Sequence, residues 1–126
     1  MFKGRHSLEK QIISKNGINI AIFRSDELLI TDVQSALDFI VSTSYNDDCD
    51  CVLLNKEAIA KEFFVLSSGI AGEILQKFVN YSKKLAIVGD FSSYTSESLK
   101  DFICESNKGN CIFFVATEQE GIDKLA

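Results

Sequence analysis

Three groups of residues in this 126-residue chain have types and spacing that suit chemistry. The first is Ser67-Ser68-Gly69, which stands just before an apolar-periodic stretch. A helix start offers unpaired N–H groups and the positive end of the macrodipole, so it favours an anion. A phosphate on Ser67 or Ser68 would be held there, or would disturb a docking partner by its charge. The competing reading is an ordinary pair of N-cap serines, worth on the order of 1 kcal/mol. The second group comprises polar residues expected just beyond the carboxyl ends of apolar strands, where open α/β sheets bind ligands. Asn55 and Lys56 follow one such run, Asp90 with Ser92 and Ser93 the next, and Thr117 the last. Together they form a candidate ligand rim with one cation, one carboxylate and hydroxyls. The chain has neither G-x-G-x-x-G nor a Walker loop, which weighs against a nucleotide, and turn or cap residues are the alternative. The third is Phe63-Phe64, close before the serines. If exposed, this pair is an apolar anchor for a protein partner or a second copy of the chain; if folded down, it is core.

Other chemistries find little support. The one histidine, His6, sits in a polar N-terminal stretch, so a Ser-His or Cys-His pair is not expected, and no G-x-S-x-G elbow is present. Cys49, Cys51, Cys104 and Cys111 contain no C-x-x-C spacing and have few ligand partners. They read as reduced thiols of a cytoplasmic protein, with no metal and no cofactor expected. No apolar run approaches the ~20 residues of a membrane helix.

The positioning elements follow from pattern. Residues 1–10 read as a flexible N-terminal arm or a late-joining edge, and 11–126 as a single domain. Asn16-Gly17 between Gln11–Ser14 and Ile18–Phe23 predicts a hairpin with a tight turn, because both residues tolerate positive φ. Thr31 to Gln34 reads as a capping box, with Val33, Ala36, Leu37, Ile40 and Val41 at helical spacing after it. Cys51–Leu54, Leu85–Val88 and Cys111–Val115 are continuous apolar runs, as in strands buried on both faces. Between the first two lie a weakly periodic segment, Asn55–Leu66, and a helix through Ile70, Ile74, Leu75 and Phe78. A third helix, capped by Thr95 or Ser96, presents Leu99, Phe102 and Ile103 and ends at Asn107-Lys108-Gly109 with a left-handed cap. Thr117 to Glu120 is a second capping box, opening a final short helix. The fold class is therefore α/β, a single-domain sandwich of order β-β-α-β-α-β-α-β-α, with an N-terminal hairpin and a largely parallel sheet.

That order resembles the STAS domain of the bacterial anti-sigma-factor antagonists. The STAS pattern carries Asp-Ser-Ser/Thr-Gly-Leu-Gly after the third strand, where this chain reads Leu66-Ser67-Ser68-Gly69-Ile70-Ala71. The resemblance implies a phosphorylatable serine at Ser67, with Leu66 in place of the Asp, and a regulatory role without enzymatic activity. Ala71–Phe78, Leu85–Phe91 and Phe102–Gly109 also resemble a small bacterial family of uncharacterised domains.

The formal net charge of −5 argues against nucleic acid or an anionic membrane as the main partner. Seven acids and no Lys or Arg lie between Asp26 and Asp50, so the remainder is slightly basic. An acidic first helix would steer a basic protein surface, or is simply a solvated face. The sequence favours a cytoplasmic, non-enzymatic module that binds another protein through Phe63 to Gly72. A ligand sensor or small enzyme at the strand ends and a self-associating domain or homodimer are the alternatives.

Overall fold

The computed structural model describes residues 8–46 and 48–126. Asn16 (φ 54°) and Gly17 (φ 78°) take the left-handed turn that joins β1 (Leu8–Lys15) to β2 (Ile18–Ser25). The two strands pair antiparallel from Lys15↔Ile18 out to Leu8↔Ser25. Leu8, Glu9 and Lys10, expected in the N-terminal arm, thus belong to β1. The rest of that arm, including Phe2 and His6, lies outside the described residues.

Strands β3 (Cys51–Asn55), β4 (Lys84–Val88) and β5 (Ile112–Val115) each run parallel to the strand before them, and the sheet order is β1-β2-β3-β4-β5. Four helices follow the expected order: α1 (Val33–Asn46), α2 (Ile70–Asn80), α3 (Glu97–Lys108) and α4 (Glu118–Leu125). Among the described residues, no helix is long and apolar enough to cross a membrane.

The central strands are apolar at nearly every position because both faces of the sheet are covered. On one face, Ala21, Phe23, Val52, Leu54, Leu85, Ile87 and Phe114 join a core with Ile40 of α1, Ile74 and Phe78 of α2 and Leu99 of α3. On the other, Ile20, Ile22, Leu53, Ala86, Phe113 and Val115 meet Ile122 and Leu125 of α4. Eight residues of helix thus close the second face. The close approach depends on Gly121: a Cβ there would lie 2.7 Å from Leu53 Cδ1 and 3.3 Å from the Ala86 Cβ. Polar clamps hold α4 in place. Arg24 makes a two-pronged pair with Glu118, Nε to Oε2 at 2.6 Å and Nη2 to Oε1 at 2.8 Å. Lys15 donates to Asp123 at 2.5 Å, and Asn16 Nδ2 donates to the Ala126 carbonyl at 3.2 Å.

Thr117 caps the last helix as expected, and of Thr95 and Ser96 it is Ser96 that caps α3. Thr117 Oγ1 accepts from the Glu120 N–H at 3.2 Å, and Ser96 Oγ accepts from the Leu99 N–H at 3.2 Å. The first helix is capped one residue later than expected. Asp32 Oδ1 accepts from Ser35 N–H at 2.8 Å and Ser35 Oγ accepts from Asp32 N–H at 3.0 Å, while Gln34 turns to Asp38. The reciprocal pair is therefore Asp32 with Ser35 rather than Thr31 with Gln34. Gly109 (φ −82°) is not left-handed. The Asn107 carboxamide turns the chain instead, donating to the Phe114 carbonyl at 3.1 Å and accepting from its N–H at 2.7 Å. No disulfide joins the four cysteines. Cys49 and Cys51 are buried as expected, but Cys104 is exposed on α3.

The Arg24 hydrogen bond holds the Glu118 carboxyl below its ordinary value near 4.5, outweighing its partial desolvation. A carboxylate depressed in the folded state stabilises fully above that ordinary value, and its contribution is lost as pH falls through the depressed one. Hydrogen-exchange protection of α4, corrected for intrinsic rates, is therefore expected to hold down to about pH 4.5 and to fall below it. Glu118→Gln should shrink that acid step, leaving the part due to Asp123, whose carboxyl the Lys15 hydrogen bond also holds below its ordinary value. Unchanged α4 protection in the wild type at low pH would count against the clamp.

Candidate functional site

The chain leaves β3 at Asn55, where β2 and β3 part. Its carboxamide replaces the missing ladder, with Oδ1 accepting from Ser25 N–H at 2.9 Å and Nδ2 donating to the Ser25 carbonyl at 2.6 Å. Asn55 is therefore occupied by the backbone and does not serve as an open rim group. The next thirteen residues form three 3₁₀ turns, Lys56–Ala58, Lys61–Phe64 and Leu66–Ser68. They are stitched to the segment after β2. The Ala58 carbonyl accepts from Leu29 and Ile30 N–H at 2.7 and 3.1 Å, and Ala60 N–H donates to Ile30 O at 2.9 Å.

Phe63 and Phe64 are 1% and 7% exposed. Neither is the exposed anchor that an accessible Phe63-Phe64 would have supplied. Aromatic packing draws them down. Phe63 lies 6.4 Å from Phe114, and Phe64 stacks on Tyr94 at 5.5 Å and lies 6.1 Å from Phe91. Such ring contacts add roughly 0.5–1.5 kcal/mol each beyond the area they bury.

Lys56 is the predicted rim residue that does face a cavity. Its stem lies across Gly89, where a Cβ would be only 2.7 Å from the Lys56 Cβ and 3.0 Å from its Cδ. The ammonium lies 4.6 Å from the Tyr94 ring centroid and 5.8 Å from that of Phe91, and it donates to the Asp90 carbonyl at 3.1 Å. Beside it opens a pocket of about 420 Å³, lined chiefly by Leu28, Ile59, Ala60, Phe64 and Tyr94, with Glu57, Lys61 and Glu62 at its polar edge. The carboxylate of Asp90 is directed elsewhere. It accepts from Ser92 Oγ at 2.6 Å and Ser92 N–H at 2.9 Å, and these bonds hold it below the usual carboxylate range.

A second hollow, about 520 Å³, adjoins the first and is lined by Phe64, Val65, Leu66, Ser67, Ser96 and Ser98. Phe64 is a wall of both, so the two predicted site groups meet at one ring. Ser67 is exposed on this hollow. Ser68, also exposed, does not line it: its Oγ donates to the Glu62 carbonyl at 2.9 Å and accepts from Ile70 N–H at 3.3 Å. Gly69, left-handed at φ 77°, is the residue that opens α2, which corrects the expectation of a serine N-cap. Thr117 caps α4, whose contacts are with the opposite face of the sheet, and it lines neither hollow. Among the described residues, no group of three or more His, Cys, Asp or Glu is placed to hold a metal ion.

Leu28, Phe91 and Tyr94 were not singled out as site residues from the sequence. The available signal was two aromatics three residues apart in the serine-rich stretch Asp90–Ser96. Because Lys56 rests on Gly89, Gly89→Ala is expected to lift the lysine off the rings. The Lys56 side-chain methylene proton resonances, shifted upfield by Tyr94 and Phe91 in the wild type, should then move toward ordinary lysine positions. Methylene shifts that stay put in the variant would show that the stem is held by something else.

A family model described as a domain of unknown function, DUF4180, matches residues 15–125. No curated protein matches the chain. Among solved structures, the chain is similar to an uncharacterised protein of the DUF3478 family from Shewanella loihica PV-4, described as having a SpoIIAA-like fold. Identity is 12%, the alignment covers 100% of this chain and 99% of that one, and the TM-score is 0.46. The α/β class rests on the chain's own sheet, and the family match spans every described element from the Asn16-Gly17 turn to α4. The chain belongs to the DUF4180 family, a domain of unknown function.

Proposed function

We propose that this domain is a non-enzymatic, regulatory binding module that works through the face at the carboxyl ends of β3 and β4. It takes a small ligand in the Lys56 pocket and a protein partner over the adjoining hollow. The observation that carries this reading is the shared Phe64 wall: a ligand that moves this ring changes the surface on which Val65 and Ser67 stand. Val65, 52% exposed, replaces the buried phenylalanines as the apolar contact for a partner. Two polar groups expected at an enzyme rim are already engaged, Asn55 by Ser25 and Asp90 by Ser92. Small-ligand sites commonly combine an apolar lining with a few placed polar groups, which is the composition of the Lys56 pocket.

Val65→Arg tests the partner surface, because the exposed side chain can change without disturbing the core. A protein retained from the native cell by the immobilised wild type is expected to be lost by this variant, with the thermal midpoint unchanged. Identical retained sets would overturn the protein-binding reading. A variant that alters only the sedimentation of the purified chain would move it to self-association.

A further inference from the structure

We infer that the ligand of the Lys56 pocket is a small apolar monocarboxylate, an inference that rests on reading this pocket as a ligand site. The walls formed by Leu28, Ile59, Ala60 and Phe64 offer contact to a hydrocarbon body, while Glu57, Lys61 and Glu62 stand at the polar edge, Glu57 engaged by Asn55 Nδ2 at 3.2 Å. At one end stands the Lys56 ammonium. Among the described residues its hydrogen-bond partner is the Asp90 carbonyl, and it forms no ion pair with a carboxylate. A lysine ammonium has three N–H donors, so two remain for an acceptor entering from the pocket. Stacking over Tyr94 and packing across Gly89 hold that charge in place before any ligand arrives. Preorganisation of this kind lowers the cost of binding.

The same surroundings set the charge of the ligand. A phosphate group is usually held by several donors, including backbone N–H groups. Here three of the neighbouring N–H groups are already used: Ile59 donates to Lys56 O, Ala60 to Ile30 O and Phe63 to Ala60 O. One well-placed ammonium suits one carboxylate. The volume of about 420 Å³ lies toward the lower end of ordinary small-ligand sites, roughly 300–1,000 Å³, so the body is of single-ring size and not a dinucleotide.

The test uses three probes of one shape, phenylacetate, phenylacetamide and 2-phenylethylamine, titrated into the full chain. The amide resonances of Ile59, Ala60 and Tyr94 report the pocket. Phenylacetate is expected to shift them with an affinity at least about tenfold above that of phenylacetamide, since a hydrogen bond to a charged group outweighs a neutral one. Lys56→Met, which keeps the stem over Gly89, should reduce phenylacetate binding by about tenfold and leave phenylacetamide binding unchanged. Equal binding of all three probes, or a Lys56→Met chain that keeps its phenylacetate affinity, would overturn the carboxylate assignment while leaving the pocket as a ligand site. If none of the probes shifts those three resonances, both the assignment and the ligand-site reading fail.

Discussion

A sheet that is apolar on both faces must be covered on both faces, and most of this structure follows from that requirement. Strands β3, β4 and β5 present hydrocarbon upward and downward at nearly every residue. Burial of such side chains contributes roughly 1.5–3 kcal/mol each, so an open face would be a large loss. Three helices and the 3₁₀ segment share one face, whereas among the described residues α4 is the helix that closes the other. An eight-residue helix is too short to persist by itself in water. Its place depends on the sheet beneath Gly121 and on the Arg24 and Lys15 clamps at its flank. Exposed ion pairs are individually weak, but a two-pronged Arg–carboxylate pair adds direction as well as energy.

The candidate site arises from the same requirement on the first face. Between β3 and α2 the chain has more residues than a direct crossover needs. The surplus, Lys56–Ser68, folds into 3₁₀ turns over the strand ends and inserts Phe63 and Phe64 among Phe91, Tyr94 and Phe114. These rings roof the edge of the core without filling it, and the pocket is the space they leave beside Lys56. The site is therefore made of packing aromatics first and polar groups second. That explains why most of the polar residues expected at the rim serve the backbone instead.

Much of the architecture was legible because it is local. Asn16-Gly17 marks the hairpin, and the continuous apolar runs mark strands buried on both faces. Thr117 is a cap whose neighbours offer no competitor. What could not be read depends on partners distant in sequence or on a choice between equals. Thr31 and Asp32 are both good N-caps, and Asp32 took the role through Ser35. The burial of Phe64 depends on Tyr94, thirty positions on, in a segment whose 3₁₀ turns carry no helical or strand period. Asn55 was expected at the ligand rim and Asn107 in a left-handed helix end, yet each engages a strand backbone through its carboxamide. Lys56 was legible by position, but its aromatic bed was not.

The strand order β1-β2-β3-β4-β5 has a further consequence during synthesis. Every strand pairs with its predecessor, so each can join the growing sheet soon after it emerges, with little loop-closure cost. The cover of the second face comes last. Until α4 has left the ribosome, Ile20, Ile22, Leu53, Ala86 and Phe113 form a bare apolar surface on an otherwise assembled domain. The nascent chain therefore passes through an interval in which its most finished part is also its most adhesive. That interval, rather than any weakness of the completed fold, is where chaperone demand and aggregation concentrate.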